Sequence, residues 1–102
     1  MTRQQHIQTI ISSSFKPIFL EIENESHKHR AQLGEESHFK VTVVSQNFLG
    51  MRLVSRHRSI NALLKEEFSK GLHALSLHLF TPEEWQSKGE KVPKSPPCRS
   101  SS

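Results

Sequence analysis

The stretch that decides the fold is residues 38–80, HFKVTVVSQNFLGMRLVSRHRSINALLKEEFSKGLHALSLHLF. Its hydrophobic period changes twice. Over 38–45 the chain alternates, with Phe39, Val41 and Val43 on one side and His38, Lys40 and Thr42 on the other. That two-residue period predicts a half-buried strand. Asn47 to Met51 reads as a turn around Gly50. From 52 to 69 the period lengthens. Leu53, His57, Ile60, Leu64 and Phe68 step by three or four, which predicts a helix burying that stripe. Lys70-Gly71 reads as its stop: a cation at the negative end of the dipole, then a residue free to take a left-handed cap. Alternation returns over 72–80, where Leu75, Leu77 and Leu79 share a face with His73, and Ser76 and His78 take the other. A strand, a crossover helix and a strand suit parallel pairing.

The flanks complete the pattern. Residues 3–14 predict a helix with Ile7, Ile10, Ile11 and Phe15 as its apolar stripe, ended by Lys16-Pro17 because Pro disfavours helical dihedrals just before it. Residues 18–25 alternate again, with Leu20 and Ile22 inward and Phe19, Glu21, Glu23 and Glu25 on an acidic outer face. Outward Lys40 then has a glutamate of this first strand to pair with across the ladder. The polar segment 26–37, with Gly34, is a loop joining the two strands antiparallel. Thr81-Pro82-Glu83-Glu84-Trp85 has the signature of a capped short helix: Thr81 as N-cap, Pro82 at the first position and Glu84 closing a capping box. Trp85 reads as a lid on the core. The expected organisation is one domain over 1–86 and a Ser/Pro/Lys-rich disordered tail over 87–102. The fold class is α+β, a three-stranded mixed sheet with helices packed on one face and a polar opposite face.

Composition narrows function. The 102 residues include seven His and one Cys, but no Asp and no Tyr. A formal charge of +4 favours anionic partners. No apolar run is long enough for a membrane span, and no signal peptide is evident. Lone Cys98 fits a reducing cytoplasm. Without a Ser/His/Asp arrangement or a phosphate-cradling Gly-rich loop, the chain is not expected to be an enzyme. Glycines 34, 50, 71 and 89 do not form the Gly-x-x-Gly clamp of an ordinary KH domain.

Two sets of side chains remain as candidate sites. Arg52, Arg56 and Arg58, followed by Lys65 and Lys70, could meet phosphates from the main helix; the alternative is a solvated basic face balanced by Glu66 and Glu67. His29, in the loop Glu25-Ser26-His27-Lys28-His29-Arg30, and His73, opening the last strand, are candidate metal ligands. Two imidazoles make only half a tetrahedral site, so a partner would have to complete it. The other reading of His73 is a hydrogen-bonded histidine at a strand start, and of His29 a solvated loop residue. His57 lies on the apolar stripe and reads as structural. His38 and His78 face the polar side of the sheet, and His6 the solvent side of the first helix.

The succession Leu20-Glu21 to Glu25-Ser26, Glu36-Ser37-His38-Phe39-Lys40-Val41, Arg56-His57-Arg58, His73-Ala74-Leu75-Ser76-Leu77 and Thr81-Pro82-Glu83-Glu84-Trp85 resembles the BolA family. Ser95-Pro96-Pro97-Cys98-Arg99 also looks like the tail of bacterial members. The resemblance implies a class II KH-like fold with a short extra helical turn before the main helix. It implies partnership with a monothiol glutaredoxin and its glutathione around a shared 2Fe–2S cluster, which the isolated chain would not hold stably. The family's ligand positions fall on His73 and His29, with His27 as a neighbouring competitor. The resemblance also implies the alternative activity of bacterial members, a DNA-binding regulator of stress response and cell shape acting on promoter DNA.

Overall fold

The structure, a computed structural model, describes residues 2–25 and 38–89. Its elements run α1 (Arg3–Phe15), β1 (Phe19–Asn24), β2 (His38–Val44), a 3-10 turn (Gln46–Phe48), α2 (Leu53–Leu63), α3 (Lys65–Ser69), β3 (Ala74–Phe80) and α4 (Pro82–Ser87). The sheet order is β1-β2-β3, with β1 antiparallel and β3 parallel to the central strand. This is the mixed α+β sheet that the two changes of period predict.

Each helix boundary has a local cause. Thr2 and Gln5 form a capping box that starts α1. Lys16, at φ 45°, ends it in the left-handed region just before Pro17. Thr81 and Glu84 cap α4 reciprocally, with Pro82 at its start. That helix continues to Ser87. The last carbonyls of α3 turn through Gly71, at φ +122°, and Leu72 N donates back to Glu67 O at 3.0 Å. That bond is the six-to-one closure of a Schellman motif.

The core lies between the helices and one sheet face. Ile7 and Ile11 of α1 and Ile60 and Leu64 of the crossover pack on Phe39, Val41, Val43 and Leu79, all buried. Ile10, Phe15, Leu20, Ile22, Leu75 and Leu77 close its edge.

Three expectations need correction. The helix over 52–69 is two helices, because Leu64 leaves helical dihedrals (φ −101°, ψ 16°) with its N–H shared between Ile60 O and Asn61 O. The buried stripe is also rotated. Leu53 is 64% exposed and Phe68 36%. Ile60 and Leu64 are inward as expected, but Arg56 and Glu67 complete the buried face, and His57 is half-buried beside them. Arg56 and Glu67 tolerate burial because each charge is matched by a partner from another element.

The third correction concerns the far face of the sheet, which is not simply a polar, solvated one. Lys40, Thr42 and Glu25 are buried there. The central strand is flanked on both sides: Lys40 lies between Glu23 and Ser76, and Thr42 between Glu21 and His78. At one end of that face Phe19, Val44 and Phe80 form a row across the strands. Trp85 stacks on Phe19 at 5.1 Å and meets Phe80 at 5.3 Å, covering the row.

Candidate functional site

The ladder brings one corner together. His38 opens β2 opposite Ala74, and Glu25 N donates to His38 O at 2.8 Å. The end of β1, the start of β2 and the start of β3 therefore share one end of the sheet. His73 precedes Ala74 by one residue and is exposed at that end. Its ring stacks beside that of His38, with centroids 6.3 Å apart and planes at 28°. Glu25 and His38, the described residues on either side of segment 26–37, both lie at this corner. His29 and its competitor His27 lie in that segment, outside the described residues.

His73 Nδ1 stands 3.4 Å from Gly71 O, at the long limit of a hydrogen bond. A proton on Nδ1 satisfies that contact and leaves the lone pair on Nε2, one of the two nitrogens through which an imidazole can bind a metal. Among the described residues no three His, Cys or Glu side chains are grouped to hold an ion. Of the two candidate imidazoles, the described residues thus place only His73 at this corner. Alternation in the sequence puts His38, like His78, on the polar side of the sheet. Its nearness to His73 follows from register, which polarity along one strand does not reveal.

The basic helix divides. Arg52 sits exposed at the N-cap of α2 without a side-chain cap bond, and Arg58 and Lys65 are exposed. Arg56 is not available to a phosphate. Its Nε donates to Met51 O at 3.0 Å, and its Nη1 and Nη2 to the Glu84 carboxylate at 2.7 and 3.1 Å. Nη1 also lies 3.3 Å from Leu79 O, and the guanidinium is 5.7 Å from the Phe48 ring centre. The expected phosphate role of Arg56 is therefore corrected to a structural one. Beside this pair an open groove of about 710 Å³ is lined by Met51, Leu53, Leu79 and Phe80, with Arg52 and Lys88 among its lining residues.

Comparison with known proteins fits this architecture. Residues 11–84 match the family model described as BolA-like protein. The chain is 52% identical over 98 residues to the DNA-binding transcriptional regulator BolA of Haemophilus influenzae, covering 96% of this chain and 95% of that protein. It is 44% identical to the Escherichia coli K12 protein of the same name, covering 97% and 94%. Among solved structures, BolA1 from Arabidopsis thaliana superposes with a TM-score of 0.78 at 40% identity, covering 82% of this chain and 96% of that one. No helix among the described residues is long and apolar enough to cross a membrane. The family model spans most of the chain and the bacterial relatives match it nearly end to end, so the chain belongs to the BolA family.

Proposed function

We propose that this chain is a DNA-binding transcriptional regulator of the BolA type, working in the cytoplasm without catalysis of its own. The observation that carries the reading is the nearly full-length correspondence to two bacterial proteins that bear that name. The surface supports it. Arg52, Arg58 and Lys65 project from the crossover helices of a chain with net charge +4. Cations at such positions meet phosphates and release counterions. A Gly-x-x-Gly clamp plays no part, since the glycine spacing excludes one. The test is affinity for duplex promoter DNA against a scrambled duplex at physiological salt. A specific regulator binds the promoter at least about a thousandfold more tightly. Equal affinities would remove the reading.

A second reading is favoured by the exposure of His73 at the sheet corner it shares with Glu25 and His38. In it the chain docks on a monothiol glutaredoxin and co-ligates a shared 2Fe–2S cluster. His73 Nε2 and His29 (or His27) supply imidazoles, while the glutaredoxin Cys and glutathione supply thiolates. Imidazole in place of thiolate raises the cluster's reduction potential. The role of this chain would be to supply two imidazole nitrogens, and the Gly71 carbonyl beside His73 Nδ1 is consistent with presenting His73 Nε2. Mixing the two proteins with iron and sulfide should give a visible absorption and dichroism spectrum distinct from the glutaredoxin homodimer. His73→Ala should abolish the difference; an unchanged spectrum would remove His73 as a ligand.

A further inference from the structure

Glu67 is a charged side chain that neither reading uses. Its side chain is only 5% exposed. A buried carboxylate needs compensation, and both oxygens receive it from α1. Arg3 Nε donates to Oε1 at 3.2 Å, and His6 Nδ1 lies 2.5 Å from Oε2. The guanidinium reaches further, with Nη2 donating to the Lys70 carbonyl at 2.7 Å. One α1 side chain thus ties α3 to the turn that follows it.

That turn presents His73. Leu72 N–H is fixed on the Glu67 carbonyl at 3.0 Å. The same peptide plane carries the Gly71 C=O, which in a trans peptide points the opposite way. Holding the N–H on Glu67 therefore aims the Gly71 carbonyl away from α3, where His73 Nδ1 meets it. Gly71 has wide torsional freedom, but the peptide on its other side is held as well, by Arg3 at Lys70 O. The guanidinium lies close over Gly71: a Cβ there would stand 3.3 Å from Arg3 Nη2.

We propose that Arg3, seated on buried Glu67, is a positioning residue for His73: it pins the Lys70–Leu72 turn so that the Gly71 carbonyl keeps the His73 ring in its Nδ1–H form, with Nε2 presented outward. The functional value of this clamp rests on the reading of His73 as an iron ligand. Carbonyls that orient a ligating imidazole act in this way. The first turn of α1 would then set the ligand geometry of a strand start far along the chain.

The test is the tautomer of His73 in the free, full-length, isotope-labelled protein. It is read from long-range nitrogen–proton correlations at about pH 8.5, above the ordinary imidazole titration range. The wild type should show two well-separated ring nitrogens with the lone pair on Nε2. Arg3→Ala should shift the His73 nitrogens toward the averaged values of a ring exchanging between tautomers. Glu67→Gln is nearly isosteric and should move them in the same direction, which keeps the test available if Arg3→Ala does not fold. Unchanged backbone amides in β2 and β3 separate loss of ring order from unfolding. His73 nitrogens that stay at wild-type values in both folded variants overturn the proposal. Because neither iron nor glutaredoxin is present, that failure leaves the ligand reading standing. Conversely, a His73→Ala chain with an unaltered cluster spectrum removes the ligand reading and leaves the clamp.

Discussion

Arg56 and Glu84 meet as a two-pronged fork, Nη1 on Oε1 at 2.7 Å and Nη2 on Oε2 at 3.1 Å. The same Oε1 accepts from Thr81 N at 3.0 Å, so the capping box of α4 and the first turns of α2 share one carboxylate. Lysine cannot reproduce this fork, since a single ammonium cannot serve two carboxylate oxygens and the Met51 carbonyl at once. Arg56→Lys should cost about 1–2 kcal/mol, and Arg56→Ala about 3 kcal/mol, in urea-denaturation stability. A loss below about 0.5 kcal/mol for Arg56→Ala, the range of ordinary surface changes, would contradict the structural role.

The same junction predicts an acid response. Hydrogen bonds from Arg56, then from the Thr81 amide, hold the Glu84 carboxyl below its usual range. Its folded pKa is thus lower than its unfolded one. The stabilisation is full above the ordinary carboxylate value of about 4.3 and is lost as pH falls through the lower folded value. Because Glu84 is 46% exposed, solvent and salt screening keep the effect small. Wild type should exceed Glu84→Gln in stability near neutral pH, and the gap should narrow in acid. A gap independent of pH would refute the assignment.

His78 makes a second, separate pH prediction. Burial, then the positive charge of Lys40, lowers its pKa from 6.5; His57 and Lys88 act the same way, and Glu25 opposes them. A depressed histidine favours the fold in its neutral form. Its contribution is complete above the unfolded value and falls away as pH drops through the folded one. Proton NMR titration should give a His78 midpoint below 6.5, raised by Lys40→Gln. A midpoint at or above 6.5 would sink this account.

What sequence could and could not reveal follows from the range of each interaction. The strands over 38–44 and 74–80, the start of α1 and the Thr81–Glu84 cap rest on periodicity or on contacts three residues apart, and all were legible. Arg56 and Glu67 were not. Patterning assigns charges to the surface, and their partners lie 28 residues away at Glu84 and 64 residues away at Arg3. A helical period that placed Arg56 on a face with Ile60 and Leu64 was the one available hint. Phe19 beneath Trp85, and His38 beside His73, depend on strand register, which alternation within a strand leaves undetermined. For His73 the residue types and the family resemblance supplied the candidate, while its contact with the Gly71 carbonyl required the three-dimensional turn.

The burial of Arg56 also sharpens the DNA prediction, because it splits a run of arginines into two physical classes. Arg52 and Arg58 are exposed, as is Lys65, whereas the Arg56 guanidinium is already spent on Glu84 and two carbonyls. A phosphate contact contributes about one unit to the slope of log affinity against log salt. Arg52→Ala, Arg58→Ala and Lys65→Ala should each flatten that slope by about one unit while leaving promoter preference largely intact. Arg56→Lys should leave the slope unchanged, even though it weakens the fold. Fluorescence anisotropy over a salt series, on promoter and scrambled duplexes, resolves the two classes. If the variant combining Arg52→Ala, Arg58→Ala and Lys65→Ala keeps the wild-type slope, the phosphates are met by another surface; if Arg56→Lys alone removes a unit, Arg56 must leave Glu84 to bind DNA.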